Sequence, residues 1–319
     1  MKAGETGNGR NFLFLHQKNT VMDEIIRLTS IRQYCDLFGF EFRHPQVGIV
    51  ECTEPERLQR YCLNWGFYSL FLKDLANCVI TYGKTRYDHG DQTVIAFAPG
   101  QVSMFENDTE RYPRFTGLLF HPDFIRGTSL GKNIKRYTFF SYESNEALHL
   151  TAEEVGILKN LLGIIASELR HDIDRHTQGL VCTNIELLLD YCMRFYDRQF
   201  TLRHDMNRDV LARFERMLDE YLASDKAEKE GIPAVNYFAD KVCLSPNYFG
   251  DLIKKETGKS AKEYIQLKML DFAKGRLLEE DKSVTQIGYS LGFQYPQHFV
   301  RFFKNLTGIT PSQFRNTGT

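Results

Sequence analysis

What is missing narrows the field first. No apolar run in the sequence approaches the roughly 18 residues that a membrane-spanning helix needs. The first ten residues, MKAGETGNGR, are polar and glycine-rich and hold no apolar segment of the signal-peptide kind. The expectation is a cytoplasmic protein with no membrane partner. The seven cysteines are odd in number and scattered, and none forms a C-x-x-C pair. Reduced thiols in or near cores explain them better than zinc or redox chemistry. His89 stands alone beside Asp88, His121 lies far off, and no H-x-H occurs. No nucleophile, base and orienting group come together along the chain. We therefore expect no enzyme, no metal and no cofactor.

Charge of a dominant sign is also lacking. Forty Lys and Arg oppose 41 Asp and Glu, a net charge of −1 over 319 residues. The balance hides an asymmetry. From Pro233 onward there are twelve basic and eight acidic residues, so the C-terminal part is basic and the remainder acidic. Two halves with different partners would show such a split.

Texture divides the chain in the same way. Between residues 46 and 120 short apolar runs (QVGIVEC, FYSLFL, CVITYG, TVIAFA, FTGLLF) alternate with turn signals. They read as strands of a small antiparallel barrel or sandwich. After residue 150 the spacing becomes helical. Val155, Leu158, Leu162, Ile165 and Leu169 recur at threes and fours, and Thr151 with Glu154 forms a capping-box signature. That stripe either pairs two subunits or packs inside its own subunit. A second helix is expected over about 180–196, then a linker in TLRHDMNRD, a helix in VLARFERMLDEYL and a polar loop in SDKAEKEGIP.

The C-terminal part repeats itself. Phe249, Lys254, Thr257, Gly258 and Tyr264 match Phe299, Lys304, Thr307, Gly308 and Phe314, each pair fifty residues apart. Upstream the offset is forty-nine, Ala239 matching Gly288, so the second copy holds one extra residue in its turn. Two helix-turn-helix units explain the pattern. A small residue on each first helix lets the second cross it. Gly292 supplies a permissive turn, whereas Cys243 at the matching place is less well suited. Ser245 and Pro246 suit an N-cap and first helical position. Phe249 and Phe299 anchor each second helix, leaving Asn247, Tyr248, Gly250, Asp251 and Lys254 outward on one and Gln297, His298, Val300, Arg301 and Lys304 outward on the other. Between the units, Ala261 to Glu280 reads as one helix capped by Ser260. Its twenty residues span roughly 30 Å, close to the ~34 Å between successive major-groove faces on one side of B-DNA.

At these residues the chain resembles the AraC/XylS family of bacterial transcription regulators, and its wording is particularly similar to members from Bacteroides-like bacteria. The words that carry the resemblance are LSPNYFGDLIKKETGKSAKEYI and IGYSLGFQYPQHFVRFFKNLTGITPSQFR, with the spacing between them, over about Arg208 to Arg315. The resemblance implies a seven-helix DNA-binding domain with two reading helices. It also implies an N-terminal sensor, a cupin-like antiparallel β-barrel with trailing helices that dimerise. The expected fold is thus α+β: a flexible N-terminus over 1–19, the barrel over 20–150, a helical dimerisation and linker region over 151–204, and a double helix-turn-helix domain over 205–319.

The expected partners are double-stranded promoter or operator DNA, a small-molecule effector, a second copy of the chain through helices 151–196, and RNA polymerase. Asn247, Tyr248, Asp251, Lys254, Lys255, Pro296, Gln297, His298, Arg301 and Lys304 are the candidate DNA contacts. Arg301 stands first, because arginine bidentate to guanine is the commonest specific base contact. The lysines offset phosphate charge, which positions without specifying. Asp251 either accepts from a cytosine amino group or repels DNA, so the second helix is expected to carry more of the affinity. Tyr68, Tyr82, Tyr87, Phe97 and Phe105 are candidates for lining an effector pocket, against the alternative that they are plain core. Two other readings stay open: a cupin-type small-molecule enzyme tethered to DNA, and an effector-independent DNA-binding protein.

Overall fold

The computed structural model describes residues 25–53, 61–73, 80–82, 85–87, 92–105, 114–143, 146–279 and 281–317. Among the described residues, the N-terminal half holds ten strands: β1 (Ile25–Leu28), β2 (Val47–Cys52), β3 (Tyr61–Trp65), β4 (Tyr68–Lys73), β5 (Ile80–Tyr82), β6 (Thr85–Tyr87), β7 (Thr93–Phe97), β8 (Val102–Phe105), β9 (Phe115–Phe120) and β10 (Leu148–His149). They form two five-stranded sheets, in the orders β1-β3-β8-β5-β6 and β10-β7-β4-β9-β2. The expectation from the residues is a small antiparallel barrel or sandwich, and no closed barrel forms among the described residues. Among the described residues the strands make two open sheets, because consecutive strands β3 and β4 join different sheets across a short turn. Pairing is antiparallel except for β1, which runs parallel to β3 with Ile25 opposite Cys62.

The second sheet is covered on both faces. In β4, Leu70 and Leu72 belong to a core shared with the helices, whereas Phe71 packs with Trp65, Ile95 and Phe97 between the sheets. Trp65 stacks on Phe97 with centroids 5.2 Å apart and donates its indole N–H to Ser103 Oγ at 2.8 Å. Burial on both faces is why FYSLFL reads as a continuous apolar run instead of alternating.

Helix α1 (Ile31–Phe38) caps the inner cluster, and the short helices α2 (Pro122–Ile125) and α3 (Ser129–Asn133) follow β9. Then come α4 (Ala152–Glu168) and α5 (Thr177–Leu202), packed on each other. Thr151 and Glu154 form the reciprocal capping box that opens α4. Val155, Leu158, Leu162, Ile165 and Leu169 are all buried within the subunit. The stripe thus serves intramolecular packing, against α5 and the sheet, and is closed to a second subunit.

The polar stretch expected as a linker is helical. Helix α5 runs on to Leu202, Arg203 makes the joint, and α6 (His204–Ala223) begins at once. Buried Asn207 donates from Nδ2 to the Phe200 carbonyl at 2.9 Å, which fixes the bend. The expected polar loop likewise contains α7 (Lys226–Glu230). Helices α8 (Val235–Lys241), α9 (Pro246–Thr257), α10 (Ala261–Glu279), α11 (Val284–Ser290), α12 (Pro296–Thr307) and α13 (Pro311–Thr317) complete the chain. Among the described residues no helix is long and apolar enough to cross a membrane.

Candidate nucleic-acid interface

The fifty-residue repeat is visible bond by bond. In the first copy Leu244 N–H donates to Ala239 O at 3.1 Å; in the second Phe293 N–H donates to Gly288 O at 3.1 Å. The left-handed residue of each turn is Cys243 (φ 58°) and Gly292 (φ 91°). Leu244 and Phe293 are still forty-nine apart, whereas the N-caps Ser245 and Tyr295 are fifty apart. The extra residue of the second turn is therefore Gln294. Past the reading helices the match resumes. Gly258 and Gly308 end α9 and α12 in left-handed conformation, and Thr257 and Thr307 donate to the carbonyls of Ile253 and Phe303.

Packing explains the small residues. Ala239 is fully buried on α8. A Cβ built on Gly288 would lie 3.2 Å from Phe299 Cβ, so α11 and α12 cross with no room between them. Phe249 and Phe299 are both fully buried, as expected of anchors. Helix α10 threads the two units as one rod, with Ile265, Met269, Ala273 and Leu277 buried along it. Its 19 residues make it about 28 Å long.

The two reading helices differ sharply in what their outward faces meet. On α12, Gln297, His298, Arg301 and Lys304 are all exposed, opposite the buried rings of Phe299 and Phe303, and Pro296 occupies the first helical position. On α9 only Asn247 and Lys254 are comparably free. Tyr248, expected outward, is buried at 4% exposure between Tyr142 and Phe200, with ring centroids 5.1 and 4.9 Å away. Asp251 is half-buried and its Oδ2 accepts the Tyr142 hydroxyl at 2.6 Å. Lys255 pairs with Asp197 of α5 at 3.0 Å. Ser245 donates its backbone N–H (2.6 Å) and its hydroxyl (2.5 Å) to the carboxylate of Glu146, while the same hydroxyl accepts from Tyr248 N–H as the N-cap of α9. Glu146 is 2% exposed, and burial pushes its carboxyl up to about 7 against the opposing pull of those hydrogen bonds. Burial and the neighbouring Asp251 raise the Tyr142 phenol well above its ordinary value.

Of the expected effector residues, the two whose side chains are described, Tyr68 and Phe97, do not share a cavity. Tyr68 stacks on Phe120 on the helix-facing side of its sheet and borders a cleft of about 300 Å³ with Ile125, Arg126, Lys132 and Ile134. Phe97 lies between the sheets, on the opposite face. The side chains of Tyr82, Tyr87 and Phe105 lie outside the described residues. Among the described residues no group of three His, Cys, Asp or Glu is placed to hold a metal ion.

Comparison with known proteins bears on the same region. Residues 238–317 match a helix-turn-helix domain family. The HTH-type transcriptional regulator YobQ of Bacillus subtilis is 40% identical over 72 residues, which is 23% of this chain and 30% of that protein. The Tn10 TetD protein of Escherichia coli is 31% identical over 123 residues, 39% of this chain and 80% of that one. The chain belongs to the AraC/XylS family. A solved regulator from Chromobacterium violaceum with an AraC-type DNA-binding domain is 28% identical, over 27% of this chain and 78% of that one, at a TM-score of 0.26. The match to the family model covers residues 238–317, and the chain spans only 14–30% of the length of YobQ and two further B. subtilis relatives.

Proposed function

We propose that this AraC/XylS chain is a cytoplasmic, sequence-specific DNA-binding transcription regulator. Residues 20–150 act as a cupin-like sensor of a small molecule, 151–204 as a helical connector, and 205–319 as the DNA-reading domain. One observation carries the reading. Four hydrogen-bonding side chains line one flank of α12 while the rings behind it are sealed in the core, and the whole unit is the second of two copies joined by a rod of nearly one duplex turn. Arg301 reads a guanine edge, Gln297 and His298 contact neighbouring bases or phosphate, and Lys304 with Lys254 neutralises phosphates. No side chain caps α12, so its first-turn amides add to the attraction for a phosphate. Pairing of two copies through helices 151–196 would use the exposed Ile164, Leu180 and Leu187, since the heptad-like stripe is buried.

The test is a mobility-shift titration at fixed salt, using a duplex selected from a random pool. Arg301→Ala weakens the selected site by about 1–3 kcal/mol more than it weakens competitor DNA. Lys304→Ala weakens both alike and lowers the salt slope by about one. Equal, sequence-blind losses in both variants would remove the assignment.

A further inference from the structure

The duplicated unit contains its own control. Positions fifty apart occupy the same place on the two reading helices, yet their surroundings are opposite. His298 is exposed, and its counterpart Tyr248 is sealed between two rings of the N-terminal half. Arg301 is exposed, and its counterpart Asp251 is held by Tyr142. Tyr295, the N-cap of α12, is 54% exposed, and its counterpart Ser245 is 3% exposed against Glu146. The covering groups come from two separate elements of the N-terminal half. Tyr142 and Glu146 follow the 3₁₀ turn Thr138–Ser141, while Asp197 and Phe200 belong to α5. That turn and α9 are packed directly together.

A helix with its side chains is about 10–12 Å across, and the major groove is about 12 Å wide. A reading helix therefore enters only if both its flanks are bare. With α5, the turn Thr138–Ser141, Tyr142 and Glu146 seated along one flank of α9, the first reader is shut out of the groove while the second is open.

We propose that the contact of Tyr142, Glu146 and Asp197 with α9 is an autoinhibitory latch, holding the protein in a state in which only α12 engages DNA. Undocking α9 turns a one-segment reader into a two-segment reader. The latch rests on the reading of the C-terminal half as a DNA-binding domain and says which of its two sites the N-terminal half controls. Any signal that moves Tyr142, Glu146 or the end of α5 acts through it. Its polar part is well suited to switching. Glu146 takes both donors of Ser245, and the two residues are only 2% and 3% exposed, so losing this one carboxylate strands two buried donors at once. The docked state then loses about ten- to a hundredfold in population.

The test leaves every DNA-facing residue untouched. The full chain, the double variant Tyr142→Phe/Glu146→Ala and the milder Tyr142→Phe/Asp197→Ala are each used to select from a random pool of 40-base-pair duplexes, after circular dichroism confirms folding. Asp197 is exposed, so the milder pair keeps the fold if the first does not. The parent enriches one short motif. The latch variants enrich a bipartite motif with segments about one helical turn apart, and bind it at least about tenfold more tightly than the parent does. The parent and both variants enriching the same motif with equal affinity would overturn the latch while leaving the DNA-binding reading in place. If none of them enriches any motif, the DNA-binding reading itself falls, and the latch with it.

Discussion

The two turns of the repeat make opposite predictions for the same kind of substitution. Cys243 holds φ at 58° with an ordinary side chain, a conformation that costs a non-glycine residue roughly 1–2 kcal/mol. Cys243→Gly removes that cost, and returns about 0.5–1 kcal/mol of it because glycine gains freedom in the unfolded chain. The side chain is exposed, so little packing is lost. The net expectation is a gain of about 0.5–1 kcal/mol, with Cys243→Ala near neutral. Gly292 is the reverse case. At φ 91° a Cβ would stand 2.5 Å from the Gly231 carbonyl carbon, 2.7 Å from Ile232 N and 2.8 Å from Ala227 O. All three are backbone atoms, one in α7 and two just after it, and cannot swing aside. Gly292→Ala therefore adds left-handed strain to an overpacking cost of about 1–3 kcal/mol, and loses roughly 2–4 kcal/mol in all. Urea unfolding followed by circular dichroism ranks the four proteins. If Cys243→Gly is no more stable than Cys243→Ala, backbone strain is not what the first turn bears. If Gly292→Ala matches the parent, the 231–232 backbone is not packed on the second turn.

Other consequences are more briefly put. Glu146 has its carboxyl raised from 4.5 to about 7 in the folded chain. The folded state therefore holds its proton more tightly, and this contribution, on the order of 3 kcal/mol at most, is complete below about pH 4.5 and lost as pH rises through about 7. A pH series of thermal midpoints from 5 to 8 slopes downward for the parent and flattens in Glu146→Gln; parallel slopes would refute the assignment. Burial raises Glu143 beside it as well, in the same direction. Asn207→Ala strands the Phe200 carbonyl at the α5–α6 joint and destabilises by about 1–3 kcal/mol, read from the same urea curves. Gly288→Val drives a branched side chain into Phe299; it tilts α12 and abolishes selection of any motif while leaving most helix content in circular dichroism.

The C-terminal half was legible because its constraints are local. A phenylalanine anchor, a small crossing residue and a glycine end recur at one offset, and each has a cause within a dozen residues. Even the displaced register could be read, although only the hydrogen bonds of Leu244 and Phe293 assign the extra residue to Gln294. The stripe from Val155 to Leu169 was correctly periodic, but periodicity gives a buried face and not the partner that buries it. TLRHDMNRD was misread because its polarity suits a linker, whereas a single amide, Asn207, lets two helices abut there. The covered flank of α9 left no trace at all. Tyr248 and Asp251 look like outward polar residues, and the groups that bury them, Tyr142 and Phe200, lie far upstream in the sequence. Glu146, the most perturbed acid of that contact, sits in no motif that would single it out.

Ser245 performs two tasks with one hydroxyl, starting α9 and gripping Glu146. A genetic screen for variants freed from the proposed latch should therefore recover changes in the N-terminal half, at Tyr142, Glu146 or Asp197. Position 245 should yield few changes, since most that free the helix also fray it, and only Asp or Asn would keep the cap while breaking the grip. The inheritance of the two tasks is tied together, and selection can retune the grip most freely from the other partner.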